Sequence, residues 1–173
     1  MNPSPNPRES NNLFIVIQLL GSHGARYDLR YPKDFEKFVP VCMNDELRKC
    51  DKERIFNAYD NSLIYTDFVV AQIIKMLQYS HAKDATLWYI SDHGESLGEY
   101  TQYMHGGLPY ALAPSTQKQV PSFLWFKNAT DSRFEILQER KNRTYSQDFV
   151  FHTILNLLEI HTKDYDKDLD MAR

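Results

Sequence analysis

A continuous apolar run over residues 13–20 opens the patterned part of the chain. Its side chains show no polar alternation, which predicts a β-strand buried on both faces. The run ends in the loop 21–24, which has glycine at both ends and His23 inside. Because glycine lets the backbone turn sharply, this loop should present a histidine just beyond the predicted strand.

The segment from about residue 53 to residue 80 has the period of an amphipathic helix. Its apolar side chains recur at spacings of three, four and seven, with a gap near Thr66: Phe56, Tyr59, Leu63, Val70, Ile73, Ile74 and Leu77. This pattern predicts a helix that is long for a globular protein, and we expect a bend at Asn61 and Ser62.

Two more strands and a last helix are predicted further along the chain. The runs 85–90 and 120–126 are typical of strands, and Pro121 lies at the start of the second, where a missing N–H donor is tolerated. Ser146 is the expected cap of a helix that continues through Glu159. Four apolar side chains are expected to be buried by that helix: Val150, Ile154, Leu157 and Leu158.

Both ends of the chain are predicted to be poorly ordered. Residues 1–12 are rich in Pro, Asn and Ser, which is typical of a disordered lead-in, and the charged segment 163–173 should fray. The order strand, helix, strand, strand, helix predicts an α/β layered fold. Three strands are few for such a sheet, so we expect this chain to form part of a larger one.

Composition and charge change this picture little. The chain has 173 residues, of which 42% are hydrophobic and 25% charged, as expected for one globular domain. A formal net charge of −3 provides no basic footprint, which argues against nucleic acid as a partner. No apolar run approaches the ~20 residues of a membrane span, and the first residues lack the apolar core of a secretory signal. We therefore expect no targeting or transmembrane segment in this chain.

Three histidines lie in glycine-containing loops: His23, His93 and His105. Asp92 precedes His93 directly after the predicted strand 85–90, at the strand end where α/β sheets collect ligands. Carboxylate oxygen and imidazole nitrogen are both good zinc ligands, and a tetrahedral site needs three or four of them. The pattern predicts a metal or phosphate site that these loops share.

The remaining polar residues give weaker signals. Glu95 and Glu99 are expected to be solvated loop carboxylates, and Asp60 is a candidate for orienting a ligand histidine. No serine or threonine has the sequence context of a nucleophile. Three histidines are expected to have no catalytic role: His81, His152 and His161.

Cys42 and Cys50 bracket a short polar stretch. A bond between them would close a small loop and stabilise the fold by about 2.5 kcal/mol. Their spacing is equally compatible with two free thiols in a reducing compartment. A pair of cysteines at this separation is a poor zinc motif, so we expect no metal role for them.

Several of these features belong to motifs that occur in a fixed order along the chain: GSHG at 21–24, RYP at 30–32, FVPVC at 38–42, NAYDN at 57–61, SDHGESLGE at 91–99 and MHG at 104–106. In these motifs the sequence resembles the bacterial phosphoethanolamine transferases, which belong to the alkaline phosphatase and sulfatase superfamily. The likeness extends from about residue 13 to the end of the chain.

The resemblance implies that residues 13–173 are the C-terminal part of a sulfatase-like catalytic domain, a partial α/β/α sandwich. It implies zinc-dependent transfer of phosphoethanolamine from phosphatidylethanolamine to lipid A or a related envelope acceptor, at the periplasmic face of the inner membrane. It assigns Asp92 and His93 to zinc, and His23 and His105 to the substrate phosphate or a second zinc. The resemblance also makes Cys42 and Cys50 a disulfide.

In that family a zinc-binding glutamate and a threonine nucleophile lie upstream, together with membrane helices. Nothing in residues 1–12 resembles them. We therefore expect an incomplete and inactive fragment, with the missing N-terminal half as a candidate partner. Two alternatives stay open: another hydrolase or transferase of the same superfamily, and a non-catalytic remnant that binds a partner.

Overall fold

The computed structural model describes residues 13–128 and 130–173, so the predicted lead-in 1–12 lies outside the described residues. The helices and strands are α1 Lys52–Tyr79, β1 Thr86–Ile90, β2 Ser96–Leu97, β3 Tyr103–Met104, α2 Ser115–Lys118, β4 Ser122–Phe126, α3 Ser132–Arg140 and α4 Asp148–Leu157. They fall into two compact units, residues 18–128 and residues 13–17 with 130–173. Each unit is described by itself.

The long helix α1 is confirmed, and it organises the unit 18–128. Its buried residues follow the helical period and define one face: Ile55, Ala58, Asn61, Ser62 and Val70. At 1.5 Å per residue, its 28 residues extend about 42 Å. The helix continues without interruption through Asn61 and Ser62, where we expected a bend.

Asn61 is fully buried and satisfies all of its hydrogen-bonding capacity on neighbouring loops. Its Oδ1 accepts the backbone N–H groups of Lys37 and Phe38 at 2.8 and 2.9 Å. Its Nδ2 donates to the Phe38 carbonyl oxygen at 2.9 Å and to the Tyr31 hydroxyl at 3.3 Å. A polar side chain on the apolar face of α1 therefore holds the loop that crosses it.

The core of this unit lies where α1 meets the preceding loops and the hairpin β2–β3. Its buried members come from four distant parts of the sequence: Tyr27, Cys42, Leu47, Ile55, Ala58 and Leu97. The structure contains a disulfide between Cys42 and Cys50, and Cys42 is itself a core residue. The disulfide thus ties the irregular segment before α1 to the core.

Two small antiparallel sheets lie in the unit 18–128. The predicted strands β1 and β4 are confirmed and pair with each other, with Thr86 opposite Phe126 and Ile90 opposite Ser122. Strands β2 and β3 pair through Leu97 and Tyr103 and were not predicted. Strands of two residues have no detectable periodicity, which explains why the sequence pattern did not reveal them.

The strand predicted over residues 13–20 is wrong, since that segment has no regular secondary structure. Residues 13–17 expose 53–79% of their surface, although all five side chains are apolar. A strand needs a neighbour to satisfy its backbone, and the described residues contain no strand that pairs with this run. The apolar pattern indicates that the segment suits burial, which the described residues do not provide.

The unit formed by 13–17 and 130–173 contains the helices α3 and α4. Helix α3 was not predicted; Asp131 caps it by accepting the backbone N–H of Arg133 at 2.9 Å. The last predicted helix is confirmed as α4. Its cap residue is Gln147, one position after the expected Ser146, and it ends two residues before Glu159. Its buried residues are Thr153 and Leu155, whereas the four apolar residues expected to be buried are only half-buried.

The expectation of a frayed tail is wrong, because residues 170–172 are buried. The backbone N–H of Met171 donates to Thr153 Oγ1 at 3.0 Å. Asp170 Oδ2 accepts from Asn156 Nδ2 and from the Tyr165 hydroxyl, each at 2.6 Å. These bonds satisfy the polar groups of a charged segment, so it packs on α4 instead of fraying.

Within the described residues, no helix combines the length and the apolar character that crossing a membrane requires.

We predict that Asn61→Ala lowers the free energy of unfolding by about 2–3 kcal/mol, since it removes a fully buried side chain and three part-buried hydrogen bonds to the backbone of residues 37 and 38. Asn57→Ala is the matched control on the same helix. It removes one exposed bond to the Pro40 carbonyl oxygen and should cost less than about 1 kcal/mol. Urea denaturation of both variants provides the comparison, and equal losses would contradict the role given to Asn61.

Candidate functional site

The loop that carries His23 is anchored to helix α1. The Ser22 and Ser62 hydroxyl oxygens lie 2.7 Å apart, and Ser62 donates to the Tyr59 carbonyl oxygen at 2.6 Å. Ser62 has one proton, so Ser22 is the donor to Ser62. On the other side, Arg30 Nε donates to the His23 carbonyl oxygen at 2.7 Å. The loop is therefore held from both sides while the His23 ring stays exposed.

The loop that carries His93 follows β1 and packs against the segment around α2. Ser91 Oγ donates to the His93 carbonyl oxygen at 2.7 Å, and the Gly94 N–H donates to the Gln117 carbonyl oxygen at 3.0 Å. A Cβ atom at Gly94 would lie 1.9 Å from the Thr116 carbonyl oxygen. Only glycine therefore permits this approach, which explains the Asp-His-Gly order of the motif.

His105 follows the short strand β3 in a backbone turn of unusual conformation. Met104 and Gly106, on either side of it, have φ angles of 64° and 75°, and Gly107 has 77°. Such left-handed conformations are easy for glycine and strained for methionine. This turn lifts His105 out of the hairpin and directs it towards the other two histidines.

The three histidines form one cluster. The ring centroids of His93 and His105 are 3.7 Å apart, and the His23 centroid lies 5.3 Å from His105 and 6.2 Å from His93. One ring nitrogen from each histidine can be chosen so that all three lie within 4.8 Å of one another. Three loops separated in the sequence thus bring their histidines to one place.

A buried carboxylate supports this cluster. Glu95 is only 8% exposed; its Oε1 lies 2.5 Å from His105 Nδ1, and its Oε2 accepts the Tyr27 hydroxyl at 2.8 Å. Burial, and secondly the nearby Glu95 carboxylate, raise the pKa of Tyr27 well above its usual value. The phenol is therefore a permanent hydrogen-bond donor to Glu95.

These contacts determine which ring nitrogens can bind a ligand. His105 Nδ1 faces a carboxylate oxygen, and His93 Nδ1 lies 3.1 Å from the Gly94 carbonyl oxygen, which can only accept. Both Nδ1 atoms therefore carry a proton, which leaves each Nε2 as the ring nitrogen available to a ligand. An imidazole whose other nitrogen donates to a carboxylate or carbonyl is the usual arrangement around zinc, so the donor set fits that metal.

Asp92 lies beside the cluster but points largely into solvent. Its side chain is 87% exposed, and its Oδ2 lies 3.9 Å from His93 Nε2. In a tetrahedral zinc site, two ligand atoms at about 2.0–2.2 Å from the metal lie about 3.3–3.6 Å apart, so this separation is a few tenths of an ångström longer than a shared ion requires. Asp92 Oδ1 also accepts the backbone N–H of His93 at 3.0 Å, which orients the carboxylate.

Two expectations about the acidic residues need revision. Glu95 was expected to be solvated and is instead the buried partner of His105. Glu99 is half-buried and accepts the backbone N–H of Leu97 at 2.7 Å. Burial raises the pKa of Asp60, but no bond from Asp60 to a cluster histidine is found among the described residues.

Tyr27 was not identified from the sequence, because nothing in its motif distinguishes it from an ordinary core tyrosine. The histidines expected to have no catalytic role lie outside the cluster: His81, His152 and His161. His152 has a structural function, since its Nδ1 accepts the backbone N–H of Asp166 at 2.9 Å.

The chain is similar to known proteins over most of its length. The sequence model of the Sulfatase family matches residues 6–160. The chain is 45% identical over 157 residues to phosphoethanolamine transferase EptA of Escherichia coli strain K12, covering 87% of this chain and 28% of the relative. It is 35% identical over 114 residues to the Kdo(2)-lipid A phosphoethanolamine 7''-transferase of the same strain, covering 66% of this chain and 19% of the relative.

Among solved structures, the C-terminal periplasmic domain of phosphoethanolamine transferase EptC from Campylobacter jejuni matches with a TM-score of 0.82 at 42% identity. The match covers 88% of this chain and 49% of that domain. It confirms the predicted α/β fold of the sulfatase type. The chain spans about 28% of the length of the EptA relative, so it corresponds to a part of such a protein.

We predict that Gly94→Ala lowers the free energy of unfolding by about 3 kcal/mol, because the added methyl group collides with the Thr116 carbonyl oxygen. Gly106→Ala is the control: it meets no atom within 4 Å and adds only the strain of a positive φ, about 1–2 kcal/mol. Denaturation curves measure both losses, and the loss in Gly94→Ala should be the larger of the two. A well-tolerated Gly94→Ala would show that the contact is unimportant.

Proposed function

Because this chain belongs to the sulfatase family and matches its phosphoethanolamine transferases, we propose that it serves zinc-dependent transfer of phosphoethanolamine from phosphatidylethanolamine to a lipid A-type acceptor. The name of one relative includes Kdo(2)-lipid A, which supports this class of acceptor. The observation that carries the proposal is the cluster of His23, His93 and His105, with one nitrogen of each within 4.8 Å of the others.

We assign Asp92 and His93 to a zinc ion, and His23 and His105 to the phosphate of the substrate or to a second zinc. The 3.9 Å between Asp92 Oδ2 and His93 Nε2 supports the first pair. Bound zinc would neutralise negative charge on the phosphoryl oxygens during transfer. The exposed position of the His23 ring leaves this side of the cluster open to a substrate.

Glu95 orients His105 and balances positive charge at the site. Glu95 holds the proton on His105 Nδ1 and supplies a negative charge behind the ring. That charge favours a cation bound in the cluster. A protonated His105 would donate its Nε2–H to a phosphate oxygen, and a neutral one would bind metal through the same nitrogen.

The activity of the whole enzyme requires groups in addition to Asp92 and the three histidines. By the family resemblance, the threonine nucleophile and a glutamate ligand come from an N-terminal part of the domain, which we propose as the partner of this chain. We also propose that the assembled enzyme acts at the periplasmic face of the inner membrane, since the matched EptC domain is periplasmic.

Zinc titration of the purified chain, in competition with a fluorescent chelator, tests the metal assignment. His93→Ala should weaken zinc binding more than 10-fold, because it removes a ligand. His161→Ala, which removes an exposed histidine outside the cluster, should leave binding unchanged. Zinc binding that His93→Ala does not alter would contradict the assignment.

A chimaera tests the reaction itself. This chain would replace the matched segment of Escherichia coli EptA, to which it is 45% identical. The chimaera should transfer labelled phosphoethanolamine to lipid A in membranes, and its His93→Ala variant should not. A chimaera that is folded, binds zinc and transfers nothing would overturn the proposed reaction while leaving the metal site intact.

A further inference from the structure

The phenol of Tyr27 is a buried functional group that the proposed reaction does not use. Tyr27 has no exposed surface and begins the 3₁₀-helix Tyr27–Leu29, four residues after His23. A hydroxyl at such depth is costly unless it is hydrogen-bonded, and here its partner is Glu95 Oε2 at 2.8 Å. The bond joins residues 68 positions apart in the sequence.

Each carboxylate oxygen of Glu95 is engaged by a different donor. Tyr27 binds Oε2, and His105 Nδ1 lies 2.5 Å from Oε1. With the side chain only 5% exposed, water has little access to replace either donor. Fixing Oε2 therefore also fixes the direction in which Oε1 faces His105.

His105 depends on this carboxylate for its orientation. It follows a strand of only two residues, and the backbone on both sides has positive φ. Regular secondary structure thus contributes little to holding the ring. The bond from Nδ1 to Glu95 is the contact that selects the tautomer and directs Nε2 into the cluster.

We propose that Tyr27 is a positioning residue, whose hydroxyl fixes the Glu95 carboxylate so that His105 is held as the Nδ1–H tautomer with Nε2 facing the histidine cluster. The inference deepens the proposed function, and it rests on that function only for the effect on zinc. The tautomer of His105 is a property of the metal-free chain.

Tyr59 provides the matched control. Its ring packs edge-on against Tyr27 with centroids 5.3 Å apart, so both tyrosines share the same aromatic packing. Of these two tyrosines, it is Tyr27 whose hydroxyl donates to Glu95. Tyr27→Phe and Tyr59→Phe each remove one hydroxyl from this part of the core, but only the first should alter His105.

The test records histidine side-chain ¹⁵N spectra of the metal-free chain. In the wild type and in Tyr59→Phe, His105 should show one tautomer, with the proton on Nδ1. In Tyr27→Phe the His105 signals should shift towards a mixture of tautomers, while those of His161 stay unchanged. Zinc titration should then show about 10-fold weaker affinity in Tyr27→Phe, because the variant loses a hydrogen bond that helps to orient a metal ligand.

A folded Tyr27→Phe protein with unchanged His105 signals would overturn the proposal. Glu95→Gln provides a second check, because Tyr27→Phe should have no additional effect on His105 in that background. An additive effect would show that Tyr27 does not act through Glu95.

A measurement on the unaltered chain covers the case in which Tyr27→Phe fails to fold. The Tyr27 hydroxyl proton should exchange slowly and be detectable by its coupling to the ring, and rapid exchange would contradict the proposal. An altered tautomer without any zinc binding would instead leave this inference standing and count against the proposed metal site.

Discussion

Two adjacent polar residues inside α1 carry the contacts on which the architecture of the site depends. Asn61 and Ser62 are both fully buried, although neighbours on a helix usually point in different directions. Asn61 binds the turn at residues 37–38, and Ser62 binds Ser22 in the loop of His23. Because the helix satisfies its own backbone, these two side chains are available to fix loops that lack regular structure.

Within the cluster, the decisive constraint is the buried charge of Glu95. A carboxylate in a low-dielectric environment must be surrounded by donors, and Tyr27 and His105 fill that role. The same requirement explains the contrast with Asp92, which lies in solvent and can approach an ion without a desolvation cost of this size. The site thus combines a buried carboxyl group held by fixed donors, Glu95, with an exposed one, Asp92.

The sequence predicted those parts of the fold whose residues repeat with a clear period. Helix α1 and the strands β1 and β4 were found in this way, and glycine-containing loops identified the three histidines. The run 13–20 was misjudged because an apolar pattern reports suitability for burial and says nothing about the presence of a neighbour. Glu95 and the charged tail 163–173 were misjudged for the opposite reason, since acidic residues are usually solvated. The donors that allow burial include residues elsewhere in the sequence, Tyr27 for Glu95 and Asn156 for Asp170.

The spacing of the three histidines also affects how the chain reaches its native state. His93 and His105 are near each other in the sequence, whereas His23 lies about 70 residues earlier, beyond the whole of α1. Closing so long a loop has an entropic cost that only the packing of the intervening helix can offset. A partly folded chain can therefore bring two imidazoles together but not the third. Any ligand that needs all three binds only the native topology and, by mass action, selectively stabilises it over its folding intermediates.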